Sequence, residues 1–320
     1  MKEFDLIDRF FKQKGHHRRD VVVGIGDDCA VMSVPPNQQL AVTTDTLVEG
    51  VHFLKDTPAR SLAYKAVAVN LSDLAAMGAE PSWLSMSLSL PDTNEAWMES
   101  FAEGFYELLE YYSVQLVGGD TVRGPLSVTV TAQGFIPEGN QMLRSGAQPG
   151  DWLYVTGSLG DAGAGLALLQ DGAEIKTDTE QYLVERHLNP TPRIMLGTSL
   201  RRIATSCIDV SDGLLADLRH VMNASNVGAR LFIDRLPLSD QLVDHVGLDK
   251  SVELALTAGD DYELLFTVSE EQKGQLETVL SGASLQATCI GQITGQSAHL
   301  DLRLGDQPYT KPEKLGFEHF

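Results

Sequence analysis

Leu84-Ser85-Met86-Ser87-Leu88-Ser89-Leu90 sets apolar and hydroxyl side chains in strict alternation, the period of a strand with one face buried. Upstream of it, Pro58 to Met77 reads as a helix, with proline near its start, many alanines, and Gly78 as its stop. Further upstream, Gln39 to Leu47 reads as a strand that ends in the turn Thr43-Thr44-Asp45, and Phe4, Leu6, Ile7, Phe10 and Phe11 form the apolar stripe of a short first helix. Downstream, a helix from about Glu95 to Tyr112 leads to a strand ending at Val117. Leu126 to Ile136 alternates again, with Val128, Val130 and Ala132 on one face. This order of strands and helices predicts a mixed sheet with helices packed on one face.

The turn-rich stretch from Pro137-Glu138-Gly139-Asn140 to Pro149-Gly150-Asp151 joins two domains, 1–138 and 139–320. In the second, strands are expected at Trp152–Thr156, Cys207–Val210, Leu231–Ile233, Tyr262–Val268 and Thr288–Ile293. Helices are expected at Asp161–Leu169, Gln181–His187, Pro192–Ile203 and Leu214–Met222. The fold class is therefore α+β, built of two α/β domains.

With 24 Lys plus Arg against 44 Asp plus Glu, the chain of 320 residues carries a formal charge of −20. Such a surface repels nucleic acid and anionic membrane, so neither is an expected partner. No stretch approaches the roughly 18 apolar residues of a membrane span. Cys29, Cys207 and Cys289 are odd in number, far apart and without metal-ligand spacing, which fits a reducing cytoplasm.

Five segments carry aspartates beside Gly, Ser, Thr or Asn: Gly24-Ile25-Gly26-Asp27-Asp28, Thr43-Thr44-Asp45, Asn70-Leu71-Ser72-Asp73, Gly118-Gly119-Asp120 and Asp209-Val210-Ser211-Asp212-Gly213. If they converge, counter-charge is needed, because two unit charges ~4 Å apart repel by about 4 kcal/mol at an effective dielectric of ~20. Hard divalent cations such as Mg²⁺ take carboxylate oxygens and bridge to phosphates, which points to a metal-dependent enzyme acting on phosphates. Singly, each segment has a plainer reading. Thr43-Thr44-Asp45 equally fits a cap or an Asx-turn, and Ser211 or Asp212 fits a helix N-cap. Asp28 is the more inward of its pair, since the apolar Cys29-Ala30-Val31 continues from it. Asn70 and Asp73 share a helical face in an apolar stretch, where an unpartnered carboxylate is expensive. Arg123 and Arg144 are the basic residues nearest to Asp120 in sequence. Gly157-Ser158-Leu159-Gly160 before a helix fits either an anion site or tight packing. A Walker-type phosphate loop, a nucleophile elbow and a His-Glu-x-x-His zinc motif are all missing from the sequence.

Taken together and in order, these segments resemble the thiamine-monophosphate kinase family, of the aminoimidazole ribonucleotide synthetase-like superfamily. The resemblance also rests on Glu49-Gly50-Val51-His52-Phe53, Gly259-Asp260-Asp261-Tyr262-Glu263-Leu264 and the tail Gly316-Phe317-Glu318-His319-Phe320. It implies transfer of the γ-phosphoryl of ATP to thiamine monophosphate, the last step in making thiamine diphosphate. Asp28, Thr43, Thr44, Asp45, Asp73, Asp120, Asp209 and Asp212 would carry several Mg²⁺ ions, with K⁺ as a further candidate cation. Of these, Asp28, Asp45, Asp73, Asp120 and Asp212 would be catalytic. Gly119, Asp120, Arg144 and Ser211 would contact ATP, and His52, Asp260 and Phe317 would lie on the thiamine side. The family often has Trp or Tyr where this chain has Phe317, and Glu where it has Asp260. The resemblance further implies a homodimer joined through the N-terminal, ATP-binding domain, with the second domain completing the site.

Two other readings compete. One is a sister activity, such as aminoimidazole ribonucleotide synthetase. The other is a nucleotide or metal sensor that binds without turnover. A glycine-rich, Cys-bearing N-terminal segment and a reactive C-terminal cysteine, found in other branches of the superfamily, are missing.

Overall fold

The computed structural model describes residues 3–317 apart from 13, 173, 284, 311 and 314, and omits the side chains of residues 3 and 4. The Phe4 side chain and the tail residues Glu318, His319 and Phe320 therefore lie outside the described part. The chain divides into two units, Met1–Leu74 with Ala79–Gly139, and Ala75–Gly78 with Asn140–Phe320.

The first unit runs α1 (Glu3–Phe10), β1 (Val21–Val23), β2 (Val31–Met32), β3 (Gln38–Val48), α2 (Ala59–Ala76), β4 (Glu80–Leu90), α3 (Glu95–Tyr111), β5 (Gln115–Arg123) and β6 (Ser127–Pro137). Its main sheet has the order β3-β6-β4-β5, with β4 parallel to β5 and the other neighbours antiparallel. Leu84, Met86, Leu88 and Leu90 are buried, as are Val128, Val130 and Ala132, so the alternation of both strands reports a one-sided core. α2 is buried along most of its length, through Leu62, Ala66, Val67, Leu71 and Leu74. It lies so close to α3 that a Cβ on Gly104 would stand 2.0 Å from the Arg60 carbonyl oxygen. Gly78 follows α2 at a φ of 71°, a left-handed position that ends helices and favours glycine.

Two expected strand ends are corrected. Thr43-Thr44-Asp45 is no turn, because β3 runs through it and pairs residue by residue with β6 as far as Val48. The hydroxyls of Thr44 and Thr131, and of Thr46 and Thr129, meet at 2.9 Å across that ladder. Gly118-Gly119-Asp120 likewise lies inside β5, which continues along β4 to Arg123. Its glycines serve the pairing: a Cβ on Gly119 would sit 1.9 Å from the Met86 carbonyl oxygen.

The second unit contains β7 (Trp152–Thr156), α4 (Asp161–Gln170), α5 (Asp178–Leu188), α6 (Ile194–Leu200), β8 (Ala204–Asp209), α7 (Leu214–Ser225) and β9 (Gly228–Phe232). It continues with α8 (Asp240–Val246), α9 (Leu248–Thr257), β10 (Leu264–Val268), α10 (Lys273–Gly282), β11 (Ala287–Thr294), β12 (Leu300–Leu304) and β13 (Gln307–Pro308). The sheet order is β13-β12-β9-β11-β7-β10-β8, with β12 parallel to β9 and the other neighbours antiparallel. Leu153 and Val155 of β7, Ile208 of β8 and Leu265 of β10 share one core with Leu215, Leu218 and Val221 of α7. The last two strands and α8, α9 and α10 carry no motif, and the sequence reading does not place them. Both units are mixed α+β, the class expected.

Candidate functional site

In the first unit, Thr43 and Asp45 are two apart on β3, so they project from the same face. They meet Asp73 of α2 there. The Thr43 hydroxyl donates to Asp73 Oδ2 at 2.5 Å. Burial, then the Asp73 charge, then a hydrogen bond with Asp73, push the Asp45 carboxyl up to about 6. The two acids thus stand against each other, with like charges facing across the strand and the helix. Thr44 points to the opposite face, where its hydroxyl is engaged by Thr131. Asn70, one turn before Asp73, is fully buried and donates to the Ala66 carbonyl oxygen at 3.0 Å. It thus anchors the helix rather than sharing the surface of Asp73.

The Asp28 and Asp120 segments line one cleft of about 730 Å³ together with Gly24, Gly26, Gly119 and Lys12. Asp27 and Asp28 are both exposed, and the Asp28 backbone N–H donates to Asp27 Oδ1 at 2.9 Å. The apolar run after them does not bury Asp28. Cys29 is exposed and Val31 is 46% exposed, while Ala30 and Met32 pack on Trp83, Val117 and Phe135. Asp120 is exposed, and its Oδ1 accepts from the Thr121 N–H at 2.9 Å. His52 accepts at Nδ1 from the Val48 N–H at 3.1 Å, which leaves a proton on Nε2 in the neutral ring. Arg123 lines a separate cleft of about 480 Å³ with Asp92 and Thr121. The basic run before β1 is structural: Arg18 pairs with Asp20 at 2.7 Å, and Trp83 Nε1 donates to the same carboxylate.

In the second unit, three segments far apart in sequence are stitched together by backbone. The Asp260 N–H donates to the Ser211 carbonyl and the Tyr262 N–H to the Val210 carbonyl, each at 2.8 Å, and the Phe317 N–H donates to the Asp212 carbonyl at 2.9 Å. Gly259 permits the first contact, since a Cβ there would lie 2.3 Å from the Ser211 carbonyl oxygen. Ser211, Asp212, Asp260 and Phe317 are thus neighbours. Phe317 is 47% exposed. Of the two adjacent acids, Asp261 turns inward. It is 1% exposed, and its Oδ2 accepts from the Gly160 N–H at 2.8 Å. Burial raises its carboxyl well above the ordinary range. Asp260 is the outward one, with 29% of its side chain exposed. Asp209 is buried at the end of β8. Arg144 is exposed, and its carbonyl accepts from Ser225 Oγ at 3.3 Å. The Gly157–Gly160 loop does receive a carboxyl group, but it is the chain's own Asp261.

Asp217, which the sequence reading passes over, fixes the Asp212 turn. Its Oδ2 accepts from the N–H groups of Ser211, Asp212 and Gly213, each at 3.1 Å. Burial and the Asp212 charge raise its carboxyl to about 7 against those bonds. Its carboxylate, that of Asp212 and a His220 ring nitrogen lie within 4.8 Å of one another. The first turn of α7 is therefore closed by its own side chain. Asp217→Ala is expected to lower stability by about 1–3 kcal/mol below pH 7, because three N–H groups lose their shared acceptor. Urea unfolding checks this, and a change below about 0.5 kcal/mol, the scatter of neutral surface substitutions, would contradict it.

An all-oxygen set of carboxylates and hydroxyls suits a hard divalent cation. Thr43, Asp45 and Asp73 are such a set, brought together on one face by β3 and α2. The cysteines offer nothing to a metal in common: Cys29 is exposed, Cys207 buried and Cys289 between the two, and none is paired in a disulfide. Among the described residues, no helix is long and apolar enough to cross a membrane.

Comparison with known proteins gives concordant matches. Residues 26–136 fit the family model for the AIR synthase related protein, N-terminal domain, and residues 148–301 that for its C-terminal domain. The chain is 51% identical over 319 residues to thiamine-monophosphate kinase of Escherichia coli (strain K12), covering 99% of this chain and 98% of that one. The crystal structure of thiamine-monophosphate kinase from Stenotrophomonas maltophilia K279a superposes with a TM-score of 0.84 at 46% identity, covering 89% and 92% of the two chains. AaThiL complexed with AMPPCP and TMP superposes with a TM-score of 0.80 at 34% identity, covering 92% of each chain.

Proposed function

We propose, from the premise that this chain belongs to the thiamine-monophosphate kinase family, that it transfers the γ-phosphoryl group of ATP to thiamine monophosphate, giving thiamine diphosphate and ADP. AaThiL, complexed with AMPPCP, an analogue of ATP, and TMP, supports both substrates. The observation that carries the reading is the Asp45–Asp73 carboxylate pair beside the Thr43 hydroxyl. Juxtaposed carboxylates beside a hydroxyl are what metal-assisted phosphoryl transfer employs.

Mg²⁺, when bound, supplies charge neutralisation for donor and acceptor phosphates and for the transferred group. In the first unit Asp28, Thr43, Asp45, Asp73 and Asp120 would hold such ions, and Thr44 would contribute through its backbone. Asp209 and Asp212 are the corresponding acids of the second unit, and K⁺ is a further candidate. Gly119 and Asp120 meet ATP where the strand backbone is bare of side chains. Ser211 and Arg144 are the ATP contacts of the second unit. His52, Asp260 and Phe317 serve the thiamine side, where an exposed aromatic face and a carboxylate suit planar rings and a thiazolium cation. The acceptor phosphate brings its own nucleophilic oxygen, so no side chain acts as a general base. Transfer is direct and in line, without a phosphoenzyme. The chain functions as a cytoplasmic homodimer. The outer edge of β3 supports that reading, because β3 ends the sheet order with Leu40 43% and Val42 58% exposed, and such edges invite pairing.

The test is product formation from ATP, Mg²⁺ and thiamine monophosphate, with free thiamine and aminoimidazole precursors as controls. Thiamine diphosphate is expected only from the monophosphate, and none after chelation. Tight Mg-ATP binding without product would overturn the kinase reading in favour of a sister activity or a sensor.

A further inference from the structure

The segment Gly259-Asp260-Asp261-Tyr262-Glu263 is held in an unusual shape. Asp260 and Tyr262 have φ values of 68° and 49°, and for residues other than glycine the left-handed region costs roughly 1–2 kcal/mol each. Backbone bonds to Val210 and Ser211 fix one side of it. On the other side stands the last turn of α5, which carries Arg186 and His187. Arg186 reaches Glu263 Oε1 at 2.9 Å. His187, 4% exposed at its side chain, places Nδ1 3.4 Å from Asp260 Oδ2. The Tyr262 hydroxyl donates to Asp260 Oδ1 at 3.1 Å. Both carboxylate oxygens of Asp260 are thus addressed from within the protein, one by imidazole and one by phenol, while the group keeps an exposed face.

We infer that His187 and Tyr262 are positioning residues that aim the Asp260 carboxylate at the cationic, amine-bearing ring system of the acceptor. This rests on the proposed function and on Asp260 serving the thiamine side. A free aspartate rotates about two side-chain bonds and samples several rotamers. Held at one oxygen by the Tyr262 hydroxyl and flanked at the other by the His187 ring, it presents its remaining lone pairs in one direction, and the acceptor need not pay for ordering it. The strained backbone has the same effect, since it turns Asp260 outward and Asp261 inward within one residue. The two residues therefore act on acceptor binding. They are not expected to act on ATP, because their side chains are directed at the Asp260 carboxylate.

Steady-state kinetics of wild type, His187→Leu, His187→Asn and Tyr262→Phe, each also in an Asp260→Ala background, decide the matter. His187→Leu is expected to raise KM for thiamine monophosphate about tenfold, the effect of one lost polar contact to a carboxylate. KM for ATP should stay within about twofold and kcat within about threefold, the pattern of lost ground-state binding. His187→Asn, which keeps a donor near the Nδ1 position, should recover most of the loss. Tyr262→Phe should raise the acceptor KM about threefold to fivefold, and it serves alone if the histidine variants fail to fold. Without the Asp260 carboxylate, neither substitution should have any further effect. An unchanged acceptor KM, equal effects in the Asp260→Ala background, or a parallel loss for ATP would overturn the inference while leaving the kinase reading intact. A wild type that does not phosphorylate thiamine monophosphate would overturn both.

Discussion

Asp45→Asn is expected to make the metal-free protein more stable while removing nearly all of its turnover. The carboxyl of Asp45 is raised from 3.8 to about 6, first by burial and then by Asp73. The folded state therefore binds a proton more tightly than the unfolded chain. For an acid shifted in this direction, the stability contribution is present below pH 3.8 and is lost as the pH rises through about 6. At pH 8 the ionised pair is a net burden of about 1–2 kcal/mol, after discounting the full shift for partial solvent screening. Asparagine keeps the shape and removes the charge, so thermal unfolding in chelator at pH 8 should rise by a few degrees, about 2–4 °C per kcal/mol for a domain of this size. Between pH 4 and 6 the wild type should lose stability relative to the variant. Added Mg²⁺ should reverse the order, because wild type gains binding free energy that the variant cannot. Loss of one ligand to the ion that would neutralise the transferred phosphoryl is expected to lower kcat about 10³-fold, or roughly 4 kcal/mol. A variant that is less stable than wild type in chelator, or that retains a tenth of its activity, would remove the pair from the centre of the site.

That pair shows what sequence can convey. Leu84 to Leu90 was legible because a one-sided core imposes its period on the chain. Asp45 and Asp73 were legible as chemistry, since apolar surroundings make bare carboxylates stand out. Their local structure was not. Threonine and aspartate after a short apolar run read as a turn, yet β3 continues because cross-strand threonine pairs carry it. Gly118-Gly119 read as a break, yet the glycines are what lets β5 approach Met86. Both errors come from partners supplied by another strand. Asp217 and His187 escaped for a related reason: each is an ordinary helical polar residue until the fold brings it to Asp212 or Asp260. The choice between Asp260 and Asp261 depends on backbone torsions at two residues, which adjacent identical side chains do not disclose. Arg186 and Arg193, lying 77 and 70 residues from Glu263, are the extreme case.

Glu263→Gln is accordingly expected to be the most destabilising of these substitutions. Glu263 is fully buried at the start of β10. Arg193 grips it with two bonds, Nε to Oε2 at 2.6 Å and Nη2 to Oε1 at 2.5 Å. Arg186 and the Thr156 hydroxyl add bonds of 2.9 Å and 2.5 Å. Burial alone would raise this carboxyl, but Arg193 and Arg186 outweigh it and hold it below the ordinary range. It therefore stays ionised through the neutral range. Removing its charge leaves two guanidinium groups facing a neutral amide, and such breaks in buried ionic groups cost about 3–5 kcal/mol. Arg193→Ala should cost less, about 1–3 kcal/mol, because Glu263 keeps Arg186 and the Arg193 side chain is 29% exposed. Hydrogen exchange localises the effect. Amides of Leu264–Val268 should exchange faster by a factor of about 10² or more in Glu263→Gln, since each 1.4 kcal/mol is tenfold in the opening equilibrium, while those of β4 in the first unit stay unchanged. Equal protection of β10 in variant and wild type would mean that the guanidinium groups find other partners, and that the ionic cluster does not hold the Asp260 segment in place.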